Sequence, residues 1–245
     1  MFSVLIPIYN GIEFLDESLT SVINQTFKNW EVIIGINGHD INSEVEEKAK
    51  CTVSVLGNDV HDIRVIYYDT KGKSATLNAM LKDCKYEYIA LLDVDDIWLP
   101  NKLEKQAQYV ANYDVVGTDC QYFGTRNDKT FIPCGDISEF NFLSSNPVIN
   151  CSAIIKKELC YWDPCIFSGV EDYDMWLRLR YEKRKFFNIP EILCLHRLHP
   201  ISNFNNSNNN YVEALKHKWI NISLKRFTPL KIKNGTKLKK ILYIN

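Results

Sequence analysis

No apolar run in the 245-residue sequence approaches the roughly 20 residues that a membrane-spanning helix needs. The chain holds 8 cysteines, yet it has no CxxC pair and no His/Cys grouping at metal-ligand spacing. An excess of charge is missing too: 29 Lys and Arg stand against 30 Asp and Glu, a formal net charge of -1. That balance excludes a global pull toward nucleic acid. The GxxxxGK[ST] phosphate loop is absent, and the opening apolar run at 2–8 lacks the basic flank and cleavage site of a secretion signal. Together these absences lead to the expectation of a reducing, cytoplasmic setting. There the scattered cysteines act as small apolar side chains.

What is present is a regular alternation. With 46% apolar residues the chain can bury a large core. Strand-like runs are expected at 3–8, 30–36, 64–68 and 86–92, with helices between them near 12–23, 43–50 and 73–84 and a further one at 99–111. Asn10 and Glu13 have the spacing of a capping box for the first helix, and Leu77, Met80 and Leu81 face inward from the third. Continuous apolar strands alternating with helices imply an α/β fold with a mostly parallel sheet covered on both faces. Ligands of such sheets sit beyond the carboxyl ends of the strands. Residues 7–10, 37–40, 69–73 and 93–96 all fall there.

Past residue 113 the strands shorten, to 115–117, 149–155, 185–189 and 192–196, around a helix at 171–184. A mixed continuation of the same sheet is expected. The domain is placed at 1–203, an Asn-rich linker at 204–210 and a basic helical segment at 211–245, with an amphipathic helix over 211–227. Two readings stay open for that basic end: peripheral contact with an anionic membrane, or a helix packed on the domain.

The chemistry concentrates in three places. Asp93, Asp95 and Asp96 end the fourth apolar run; on a strand the first two would project to one face. Carboxylates so close repel unless a cation lies between them, and oxygen ligands without cysteine favour Mn²⁺ or Mg²⁺. Lys73, after Gly72 at a helix start, can meet an anion. Glu171, Asp172 and Asp174 open a later helix, where dipole complementation alone accounts for acids; that reading is kept for Asp174. His196 and His199 follow a strand, and a histidine in such a place is usually structural.

Five blocks in order resemble the family 2 glycosyltransferases. They are SVLIPIYNGIEFLDESLTSVINQTFKNWEVII, KGKSATLNAML, ALLDVDDIWLPNKLEKQ, GVEDYDMWLRL and LHRLHPIS, within about residues 2 to 203. The resemblance implies a GT-A fold, a Rossmann-like central sheet flanked by helices, with a C-terminal helical appendage. It implies a nucleotide-sugar donor, with UDP favoured, and a glycan, protein or lipid-linked acceptor. Pro7, Tyr9 and Asn10 would line the nucleotide pocket, with Asn37 at the nucleobase. Asp93 would contact ribose or metal, and Asp95 and Asp96 the metal and diphosphate. His199 would complete the metal shell or touch the diphosphate, with Arg197 nearby. Asp172 would be the general base of an inverting single displacement, and Glu171 would orient the acceptor. The sequence departs from the family at 36–40, where Ile-Asn-Gly-His-Asp replaces the usual Asp-Asp-Gly-Ser turn. Asn37 both donates and accepts, so it can pair with a uracil edge but discriminates less than a carboxylate. The rival readings are a magnesium-dependent phosphatase or nucleotidyltransferase, and a non-catalytic GT-A-like protein that only binds sugar nucleotide or carbohydrate.

Overall fold

The computed structural model describes residues 1–57, 62–166, 169–199 and 209–226. One sheet organises them, in the strand order β3-β2-β1-β4-β8-β6-β9-β5, with β7 pairing β9. Its first part is parallel: β1 (Phe2–Ile8), β2 (Trp30–Asn37), β3 (Asp62–Tyr68) and β4 (Tyr88–Leu91). Every residue of β2 is buried, as expected of a strand with helices on both faces. Helices α1 (Leu15–Ile23), α2 (Glu44–Leu56) and α3 (Lys73–Met80) supply that cover. Gly35 permits the closest approach, since a Cβ there would stand 2.6 Å from the Met80 sulfur.

The second part is mixed. β5 (Ile97–Trp98), helix α4 (Lys102–Ala107), β6 (Val115–Gly124), β7 (Gly135–Asp136) and β8 (Ile154–Lys156) precede α5 (Glu171–Tyr181) and β9 (Phe186–Leu198). The runs expected at 185–189 and 192–196 form one continuous strand. Thr118 pairs with Ile189 and Asp119 with Ile192, so Pro190 and Glu191 are passed over at a bulge. A proline has no N–H for the ladder, and the bulge absorbs it without ending the strand.

Two corrections concern local signals. The capping box at Asn10 and Glu13 does not form: Gly11, at φ 87°, leads into a 3-10 turn over Ile12–Phe14 with no side-chain cap. The left-handed Gly11 leaves Asn10 out on the molecular surface. The helices expected at 73–84 and 99–111 are shorter, because α3 passes into a 3-10 turn at Leu81–Asp83 and α4 ends at Ala107.

The last helix, α6 (Asn209–Arg226), agrees with the expected helix over 211–227. Leu215 and Trp219 are buried against α5, whose Asp174 accepts from Lys218 Nζ at 2.9 Å and Trp219 Nε1 at 2.7 Å. Asp174 is therefore more than a dipole partner; it fastens α6. Most of the Asn-rich linker and the basic stretch beyond Arg226 lie outside the described residues. Among those described, no helix is long and apolar enough to cross a membrane.

Candidate active site

A cleft of about 920 Å³ opens beyond the carboxyl ends of β1, β2 and β4. Pro7, Tyr9 and Asn10 reach it from the end of β1, Asn37 from β2, Lys73 from the start of α3, and Asp93 and Asp95 from the turn after β4. Glu171 and Asp172 enter from the first turn of α5, and His199 from the end of β9. Gly38, at φ 73°, leaves room for the Tyr9 ring, which lies 5.7 Å from His39 centroid to centroid.

The acids do not sit on a strand as expected. β4 ends at Leu91, and Asp96 N donates to Asp93 O at 3.0 Å, closing a tight turn over 93–96. Asp93 and Asp95 face the cleft, and Asp96 does not. It is fully buried, its oxygens taking His196 Nδ1 at 3.0 Å and the Arg197 amide at 2.8 Å. Asp96, expected at the metal, has both oxygens in hydrogen bonds that fix β9 under the turn.

The remaining carboxylates have unequal surroundings. Asp93 accepts from Lys73 Nζ at 2.5 Å and Asn150 Nδ2 at 2.9 Å. Burial opposes its charge, but Lys73 and the hydrogen bonds outweigh it and hold the carboxyl below its ordinary range. Burial likewise opposes the Lys73 charge; Asp93 and Glu171 outweigh that and keep it protonated. Among the described residues Asp95 has no cation of that kind. Its Oδ2 stands 3.0 Å from His199 Nε2, and burial followed by repulsion from Asp96 and Asp93 pushes its carboxyl up to about 6. His196 beneath them is pushed up to about 9: burial works against its cation, but Asp96 prevails.

Across the cleft, Asp172 accepts only a long bond from Asn146 Nδ2, at 3.3 Å among the side-chain bonds described. Burial first, then Glu171, pushes its carboxyl up to about 6, with Lys73 pulling the other way. Glu171 is tied down by the Gly169 amide at 2.5 Å and lies 3.9 Å from Lys73 Nζ. Lys73 therefore links the acid clusters of both walls.

Several lining residues carry no signal in the sequence. Asn146 and Asn150 lie in the irregular stretch before β8, and Lys216 arrives from α6. Phe131, 97% exposed, stands at the cleft rim on the loop after β6. No motif marks them; only the fold brings them to the acids.

Residues 3–152 match the family described as Glycosyl transferase family 2. The chain is 30% identical over 215 residues to the O-antigen biosynthesis glycosyltransferase WbnJ of Escherichia coli, covering 81% of this chain and 80% of that protein. It is 28% identical over 228 residues to the E. coli UDP-Glc:alpha-D-GlcNAc-diphosphoundecaprenol beta-1,3-glucosyltransferase WfgD, covering 89% and 84%. Among solved structures, residues 1–349 of S. aureus TarS with UDP-GlcNAc superpose with a TM-score of 0.68 at 16% identity, over 89% of this chain and 66% of that one. The mannosyltransferase PcManGT of Pyrobaculum calidifontis, with GDP-Man and Mn²⁺, gives 0.62 at 15%, over 82% and 58%. The fold is GT-A.

Proposed function

The chain belongs to glycosyl transferase family 2 and is a glycosyltransferase; from that premise we propose that it moves a sugar from a UDP-sugar to an acceptor hydroxyl with inversion, using Asp172 as general base and a divalent metal at Asp95 and His199. The observation that carries this reading is the contrast within one cleft. Asp93 is neutralised by Lys73 on one wall, and Asp172 is left with a carboxyl raised to about 6 on the other.

The residues suit a hard cation. Asp95 offers a carboxylate whose charge burial and its acid neighbours disfavour, and His199 adds a nitrogen 3.0 Å away. Asp93, with both oxygens engaged, is a neighbour of that pair more than a first holder. When bound, Mn²⁺ or Mg²⁺ supplies positive charge where the departing diphosphate becomes more negative.

This chain's own groups do the rest. Lys73 lies between Asp93 and Glu171 and presents its ammonium to a donor phosphate. Tyr9 and Asn37 border the nucleobase end of the cleft. An acceptor hydroxyl is a weak nucleophile, so a carboxylate must take its proton as the bond forms. Asp172, its carboxyl raised toward neutral pH by burial and then by Glu171, is suited to that transfer, and Asn146 donates to it. One base opposite the leaving group yields single displacement and inversion. WfgD's name describes a sugar on a lipid diphosphate, which supports a lipid-linked glycan acceptor here.

A panel of UDP-, GDP- and dTDP-sugars tests the reading. Slow Mn²⁺-dependent hydrolysis of a UDP-sugar without acceptor is expected, and EDTA should remove it. The absence of both turnover and binding across every donor would refute the proposal.

A further inference from the structure

Below the cleft floor, Cys120 on β6, Cys151 in the 3-10 turn Asn150–Ser152 and Cys194 on β9 bring their sulfurs within 4.8 Å of one another, all three fully buried. Sequence spacing gives no warning of this. The β6–β9 register sets Cys120 beside Cys194, and the turn carries Cys151 Sγ to 3.9 Å from Cys194 Sγ. Sulfurs held at about 2.3 Å around a tetrahedral zinc stand about 3.8 Å apart.

A second observation concerns charge. Lys102 on α4 is fully buried, its ammonium 2.7 Å from Gln106 Oε1 and 3.9 Å from the centre of the Trp98 ring. Among the described residues no carboxylate pairs with it, and the ionisable groups that act on it are the thiols of Cys194, Cys151 and Cys120. A buried ammonium needs a counter-charge. Three thiolates around a divalent ion carry one net negative charge, which a single ammonium balances.

We propose that Cys120, Cys151 and Cys194 hold a soft divalent cation of the zinc type, with Lys102 as its counter-charge. Loading displaces whatever protons the thiols carry, and thiolates select such an ion over the hard cations suited to Asp95. For the fourth position, the Thr118 hydroxyl lies 3.8 Å and the Asp119 carbonyl 3.9 Å from Cys194 Sγ. The ion joins β6, β9 and the turn whose Asn150 holds Asp93, and Cys151 is also within 4.8 Å of Asp96 and His196. It fastens the floor of the cleft without facing it.

The test is metal analysis of the whole chain purified without chelator or metal-affinity resin, followed by cobalt exchange. About one zinc per chain is expected, together with sulfur-to-cobalt charge-transfer absorption in the cobalt form. Both should persist in Asp95→Asn and His199→Gln and vanish in Cys194→Ser. Should Cys194→Ser fail to fold, the cobalt spectrum of the unaltered chain still decides. Three results would overturn the site: metal well below one equivalent even after refolding with zinc, a cobalt form without sulfur ligation, or copper in place of zinc.

Discussion

On the wall of the cleft built by the parallel strands, Asp93 receives an ammonium and an amide, and its carboxyl is held low. On the wall built by α5, Asp172 receives a long side-chain bond from Asn146 and the Tyr173 amide but no cation in contact among the described residues, stands beside Glu171, and is raised to about 6. The same residue type is thus prepared for two tasks. A paired carboxylate stays charged and fixes its neighbours. An undercompensated one exchanges a proton near neutral pH.

The comparison breaks most sharply at Asp172. Asp172→Asn should lower transfer by about 10²–10⁴-fold, the usual range for a positioned base, while donor affinity by calorimetry stays close to that of the unaltered chain. Retained transfer would move the base elsewhere, with Glu171 next in line. On the opposite wall, Lys73→Met removes the cation that lies between Asp93 and Glu171. Donor affinity should fall by about tenfold or more, and urea denaturation should register a loss on the order of 1–2 kcal/mol, less than for a fully buried pair because both side chains are partly exposed. Asn150→Ala removes one hydrogen bond to the same acid, and should weaken donor binding only about fivefold.

A further effect is one of stability. The folded chain raises the Asp172 carboxyl from 3.8 to about 6, so it favours the neutral form. Stability tied to that form is fully present below about pH 4 and lost as pH rises through about 6. Asp172→Asn, which cannot ionise, should therefore melt a few degrees higher than the unaltered chain at pH 8 and equally at pH 4. Differential scanning calorimetry at the two pH values checks this.

Much of the parallel wall was legible in the sequence, and little of its partner was. Strands β1, β2 and β4 are largely apolar runs; Pro7 and Asn37 lie at the ends of β1 and β2, Asp93 just past β4 and Lys73 at the start of α3, so local pattern sufficed. The partners of Asp96 were not legible because they are remote: His196 lies 100 positions away and reaches it from β9. Asn150 reaches Asp93 across 57 positions, from a stretch with no periodicity. Two histidines that looked structural divide by the same rule. His196 is held by the buried Asp96, and His199 meets Asp95 at the cleft. The failed capping box at Asn10 shows a local signal overridden by Gly11.

The central claim is that the undercompensated carboxyl of Asp172 takes the acceptor's proton. Single-turnover transfer at saturating donor and Mn²⁺, measured across pH, tests it most directly. The account predicts a rate that is half-maximal near pH 6, falls tenfold for each further unit of acid, and loses this dependence with its activity in Asp172→Asn. A rate unchanged down to pH 4.5, with donor still bound, would contradict it.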